Sequence, residues 1–176
     1  MPDATGLELL AQELGEAHEG SVQDTVFFRD RGTILVDPAH VRGALAFLRD
    51  KGYRFLASLH GVDHYPREPR LGICYELLDM ERLDRLTVKL YVPIDGAHVE
   101  SVTPDWPTAD YQEREAYDMF GVVFDGHPDL RRILMPEDYE GHPQRRDFPI
   151  GGEPVLFTFN DAQGADYTAW GGEEQT

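Results

Sequence analysis

Residues 71–93 read LGICYELLDMERLDRLTVKLYVP, and this stretch sets the architecture. In RLTVKLYVP (85–93) the apolar Val88, Leu90 and Val92 alternate with polar or amphipathic neighbours, the two-residue period of a strand with one buried face. LGICYELL (71–78) is an apolar run of strand length, and the two segments are expected to pair.

Upstream, FLASL (55–59) reads as another strand. VQDTVFF and TILVD flank RDRG, which predicts a β-hairpin with Gly32 in its turn. Two helices lie between and before these strands. Leu7, Leu10, Leu14 and Ala17 recur at helical spacing over 6–18. Asp37-Pro38 has an N-cap residue followed by proline at the first helical position, with a stripe of Val41, Ala44, Leu45 and Leu48 before Gly52. Downstream, DWPTADYQEREAYDMFG predicts a third helix closed by Gly121. The order α-β-β-α-β-β-β-α implies an α+β, two-layer domain with helices on one face of a mainly antiparallel sheet, followed by an extended irregular C-terminal arm. The expected divisions are a core over 1–121, an arm over 122–155 and a polar tail over 156–176.

With 176 residues and 41% hydrophobic content the chain can bury a core of its own. Its formal charge of −17 repels phosphate, so no nucleic-acid or anionic-lipid partner is expected. No apolar run nears the roughly 20 residues of a membrane span, and the acidic start lacks a signal-peptide pattern, so a cytoplasmic location is expected. The one cysteine, Cys74, reads as a small buried hydrophobe. It cannot supply the four thiolates of an iron–sulfur cluster.

Beyond residue 122 the periodicity stops, and five of the twelve prolines fall at 128, 136, 143, 149 and 154. Such a long irregular run is expected to be functional or draped on something. Within it Gly-His-Pro followed by an arginine pair occurs twice: His127 with Arg131 and Arg132, and His142 with Arg145 and Arg146. Each copy is a stiff turn that presents an imidazole close to guanidinium groups. Because acids interleave with the arginines, carboxylates suit their planar forks better than a phosphate track does. The expectation is a docking arm for a protein partner.

Chemistry elsewhere is sparse. Glu113 falls inside the apolar stripe of the third helix and must find a cation or donors there. Arg114 and Asp118, four apart, are expected to pair along the helix surface. With Glu115 they make a structural ion-pair helix; the competing assignment is a general acid/base pair of Glu115 and Asp118. His60 and His64 in HGVDH are two possible zinc ligands, short of the three or four a site needs. No dinucleotide or Walker fingerprint is present. No catalytic, metal or cofactor-binding residue is therefore assigned.

EREAYDMFGVVFDGHPDLRRIL followed by PEDYEGHPQRRDFPI closely resembles the signature of the 30-kilodalton subunit (the C-subunit) of proton-pumping NADH:quinone oxidoreductase (respiratory complex I). FLASLHGVDHYP and SVTPDWP resemble weaker stretches of that family, and the resemblance spans about residues 33–155. Gln112 and Gln144 depart from its usual apolar residue and leucine, and SVTPDWP from its usual Thr-Asp-Leu-Trp-Pro order. The resemblance implies a peripheral subunit on the cytoplasmic side of the cell membrane, bound chiefly to the large quinone-site subunit (the D-subunit) beside iron–sulfur subunits. It implies no cofactor on this chain, within a complex that uses FMN, iron–sulfur clusters, NADH and a quinone. His127, Arg131, Arg132, His142, Arg145, Arg146 and Asp147 are then expected at the docking surface. Competing expectations are the equivalent subunit of a membrane-bound [NiFe] hydrogenase or other-donor oxidoreductase, and a free-standing carboxylate- or metal-dependent enzyme.

Overall fold

The alternation at Val88, Leu90 and Val92 marks the buried face of strand β5 (Asp84–Val92). The computed structural model describes residues 4–149. β5 lies at the centre of a five-stranded sheet with β1 (Val22–Phe28), β2 (Arg31–Val36), β3 (Phe55–Asp63) and β4 (Leu71–Asp79), in the order β1-β2-β5-β4-β3. All pairings in this sheet are antiparallel except the parallel β2–β5 contact. Leu86, Val88, Leu90 and Val92 stand opposite Leu77, Tyr75, Ile73 and Leu71, and all eight are buried. Ile34 and Val36 extend this face across β2.

Helices cover that face. In α1 (Ala4–Ala17) the buried residues are Leu7, Ala11 and Leu14. Ala17 is exposed, so the stripe runs one turn less far than expected. Asp37 caps a short 3₁₀ turn (Pro38–His40) by accepting the Ala39 N–H, and α2 (Val41–Asp50) follows with the expected stripe buried. α3 (Ala109–Phe120) packs across β3 so closely that a Cβ on Gly61 would lie 2.5 Å from the Phe120 ring. Two short strands outside the expected set, β6 (His98–Glu100) and β7 (Val123–Asp125), pair in parallel beside α3.

The first hairpin departs from expectation. Its turn is Arg29-Asp30, with φ of 51° and 58°, and Gly32 lies in β2 beneath Leu7 of α1. The left-handed region favours glycine, but polar residues reach it in two-residue hairpin turns. Residues 123–125 also join the core as β7 rather than starting the arm, because three residues are too short to show a period. From residue 126 to 149 the chain is irregular but lies on α3 rather than projecting away. The tail expected at 156–176 lies outside the described residues.

Candidate functional site

α3 carries two carboxylates into the interior, Glu113 and Asp118, both fully buried. Glu113 is met by the loop after β6: Ser101 Oγ donates at 2.7 Å, Thr103 Oγ1 at 3.1 Å and the Val102 N–H at 2.8 Å. Burial raises its pKa above the ordinary glutamate value, and these donors offset that only in part. The requirement read from its place in the apolar stripe is met by hydroxyls and an amide, with His127 Nε2 at 4.0 Å.

Asp118 is served by the arm. One carboxylate oxygen accepts three successive backbone N–H groups, from Ile133, Leu134 and Met135, at 3.0, 2.7 and 2.8 Å. The other accepts Arg132 Nη1 at 2.6 Å. Burial opposes the charge, but these four donors outweigh it and hold the pKa below the ordinary aspartate value. The expected Arg114–Asp118 pair is therefore replaced. Arg114 reaches the carbonyls of Arg131 and Arg132 at 3.2 Å each. Main-chain amides brought in by the arm took the place of a surface ion pair, and Glu115 remains exposed.

The repeated Gly-His-Pro has a common use. The His127 side chain is wholly buried; its Nδ1 accepts the Asp129 N–H, so Nε2 carries the proton and donates to the Asp110 carbonyl at 3.2 Å. His142 donates from Nδ1 to the Asp118 carbonyl at 3.0 Å. A helix leaves its last four carbonyls without intrahelical partners. In α3 these belong to Tyr117, Asp118, Met119 and Phe120, and they accept from Gly121 N, His142 Nδ1, Gln144 N and Arg145 Nε respectively. The second block is thus the C-terminal cap of α3, and the Arg145 cation also suits the negative end of the helix dipole. Burial lowers the pKa of both His142 and Arg145. Gly121 completes the cap at φ 77°, and a Cβ there would run into His142 and Arg145.

The arm is clamped at Asp147 by Arg70, a residue no sequence motif singles out. Its Nε and Nη2 donate to Asp63 at 2.8 and 2.7 Å, and its Nη1 donates to Asp147 at 2.8 Å. The Arg146 amide also donates to Asp63 at 2.7 Å, while its side chain reaches the Tyr65 carbonyl. Hydrogen bonds from Arg70 hold both carboxylates below their ordinary pKa, despite some burial. Only the punctuated PREPRLG around Arg70 hinted at a fixed turn.

Of the residues expected at a docking surface, His127 has its side chain buried, and Arg132, His142, Arg145 and Asp147 bond within the chain. Arg131 and Arg146 are exposed, Arg131 paired with the equally exposed Asp129. Because the three amides facing Asp118 turn the backbone inward, Ile133 and Leu134 display their side chains outward; Tyr111 of α3 is exposed too. His60 and His64 do not converge on a metal site. His60 meets Ser58, and His64 meets Lys89 Nζ at 3.0 Å. No group of three metal-ligating side chains occurs among the described residues. No helix among them is long and apolar enough to cross a membrane.

Comparison with known proteins places these features in a family. Residues 34–154 match the family described as the respiratory-chain NADH dehydrogenase 30 Kd subunit. The chain is 44% identical over 163 residues to the NADH-quinone oxidoreductase C-subunit of Roseiflexus sp. (strain RS-1), covering 91% of each. It is 48% identical over 160 residues to the C-subunit of Saccharopolyspora erythraea, covering 88% of this chain and 63% of that longer protein. Among solved structures, the trypsin-resistant fragment (1-134) of Nqo5 superposes with a TM-score of 0.60 at 31% identity, over 70% of this chain and 98% of the fragment. A chain of the membrane-bound sulfane sulfur reductase, an archaeal respiratory membrane complex, shares the fold with a TM-score of 0.68 at 23% identity, over 91% and 93% of the two chains. The chain belongs to the 30-kilodalton subunit family of respiratory-chain NADH dehydrogenase, the family of the NADH-quinone oxidoreductase C-subunit.

Proposed function

We propose that this chain is a non-catalytic structural subunit of the peripheral arm of a proton-translocating NADH:quinone oxidoreductase, on the cytoplasmic side of the membrane. It docks to the quinone-site D-subunit beside iron–sulfur subunits and is needed for assembly. The chain itself holds no cofactor; FMN, iron–sulfur clusters, NADH and the quinone belong to the complex.

The observation that carries this reading is the orientation of the arm. His127, Arg132, His142 and Arg145 are directed at α3 and Asp147 at Arg70, while Ile133, Leu134 and Arg131 of the arm and Tyr111 of α3 are exposed. Adjacent exposed apolar side chains near an arginine, on a backbone held from within, have the make-up of an interface anchor. The docking set expected from sequence thereby narrows. His127, Arg132, His142, Arg145 and Asp147 hold the arm in shape, and Arg131 and Arg146 meet the partner.

The test is an affinity pull-down of the tagged chain from its own solubilised membranes, with partner identification and an NADH:quinone assay. Wild type should recover a quinone-site subunit, cluster proteins and activity. The Ile133→Asp/Leu134→Asp pair should lower recovery by more than about tenfold, the usual loss at an interface hot spot. The melting temperature of the isolated chain should stay unchanged. Recovery undiminished in that variant would refute docking through this face. The second reading, a subunit of a related complex using another electron donor, rests on the fold shared with the sulfane sulfur reductase chain. Partners without an NADH-oxidising module would select it.

A further inference from the structure

Among the described residues the helices lie on one face of the five-stranded sheet and none covers the other. At one end of that open face a single row crosses every strand: Phe28, Arg31, Arg85, Leu78 and Phe55. Phe28 stands opposite Arg31, Leu78 opposite Arg85, and Phe55 opposite Leu78. Arg31 and Arg85 precede the paired Gly32 and Leu86 on adjacent parallel strands, so their guanidinium groups share one face. Both are exposed, and neither has a salt bridge among the described residues.

Like charges side by side on neighbouring strands repel, and the sheet gains nothing from that arrangement by itself. Between these arginines and the β4–β5 turn lies a depression of about 280 Å³, walled by Leu78, Met80 and Leu83. Met80 is 64% exposed and Leu83 78%. Leu83 holds φ 53°, a left-handed backbone that a leucine rarely adopts, and its side chain is exposed at the rim. Phe28 and Phe55, both exposed, stand on either side. Two of the acids bordering the depression face inward: Asp84 accepts the Tyr53 hydroxyl, and Asp79 accepts the Glu81 and Arg82 amides. Asp30, in the hairpin turn, is the exposed carboxylate at the rim.

We infer that this end of the open sheet face is a second docking site, taking a segment of a neighbouring subunit that presents a large apolar side chain flanked by a carboxylate. The apolar group fills the depression between Leu78, Met80 and Leu83. The carboxylate bridges Arg31 and Arg85, relieving their repulsion through the bidentate geometry that guanidinium favours. In a chain of net charge −17, an exposed pair of arginines without a salt bridge among the described residues, on an apolar floor, selects an acidic partner. This inference rests on membership of a multisubunit complex, but it concerns a surface distinct from the α3 face.

The test uses the assembled complex carrying the photoreactive residue p-benzoylphenylalanine at position 83. Irradiation should join it to one other subunit, at a peptide with Asp or Glu within a few residues of the attachment point. Arg31→Glu/Arg85→Glu should lower retention of the chain through a moderate salt wash by about tenfold or more, and Arg31→Lys/Arg85→Lys by less. Leu83→Asp, at an exposed position, should act similarly without changing the melting temperature. A crosslink to lipid, to a second copy of this chain or to its own residues 156–176 would overturn the inference. So would undiminished retention of both the charge-reversed pair and Leu83→Asp. If the wild-type chain recovers no partners at all, it is the proposed function that fails; wild-type recovery with indifferent variants counts against this site alone.

Discussion

Asp118 and Glu113 lie on one helix, neither exposes any surface to solvent, and they are shifted in opposite directions. Glu113 lies deeper in the interior, and the donor sets differ. Asp118 gathers three main-chain amides and a guanidinium, whereas Glu113 receives two hydroxyls and one amide. An aspartate held below its ordinary pKa binds its proton more weakly in the folded state than in the unfolded one. Its contribution is therefore fully present above the unfolded value of 3.8 and is lost as the pH falls through the folded value. Glu113 acts in the reverse sense: its raised pKa makes folding less favourable as the pH climbs from 4.5 through the folded value. Asp118→Asn should cost about 3 kcal/mol at neutral pH, since all four donors lose a charged acceptor and the new NH2 group is turned against either Arg132 or the three amides. It should also flatten the loss of stability below about pH 4. Urea denaturation of both proteins across this range measures both effects; an equal acid slope would show that Asp118 is not the group responsible.

At the scale of the element, α3 is finished by residues that follow it by more than twenty positions. Most helices end with a local turn, and Gly121 provides that part. The remaining carbonyls are served by His142, Gln144 and Arg145, so helix and arm are ordered together. Gly121→Ala places a methyl group where His142 and Arg145 pass and strains a left-handed backbone. It should lower stability by about 2 kcal/mol. It should also open residues 126–149 to limited proteolysis while the sheet resists. Cleavage at the wild-type rate would separate the cap from the ordering of the arm.

Across the whole molecule, ion pairs tie together parts distant in sequence. Asp105 accepts Arg42 and Arg49 of α2, and Arg70 joins the β3 end to the end of the arm through Asp63 and Asp147. Arg70 is buried and holds two carboxylates, so its loss leaves both without their hydrogen-bonded counter-charge. Arg70→Ala should lower the melting temperature by roughly 5 °C. Hydrogen exchange should accelerate at Arg146, whose amide donates to Asp63. Unchanged exchange there would place the anchor elsewhere.

The local order of the chain was legible because strands and helices follow from periodicity a few residues long. Val88, Leu90 and Val92, and the Asp37-Pro38 start, needed no knowledge of their neighbours. The demand of Glu113 for donors was legible too, since a charge within an apolar stripe must be compensated wherever it lies. The turn at Arg29-Asp30 was not, because polar residues adopted a backbone that sequence usually signals with glycine. Nor were the partners of Arg114, Asp118, Arg132 and Arg145. A long side chain reaches whatever acceptor the fold brings near it, and only the path of residues 126–149 over α3 decided that these were carbonyls and a buried carboxylate of the same chain. By itself the sequence determined the layers, their order and the family. The tertiary structure decided which charges are enclosed and which surfaces remain for others, because pairing depends on distances that no local pattern encodes.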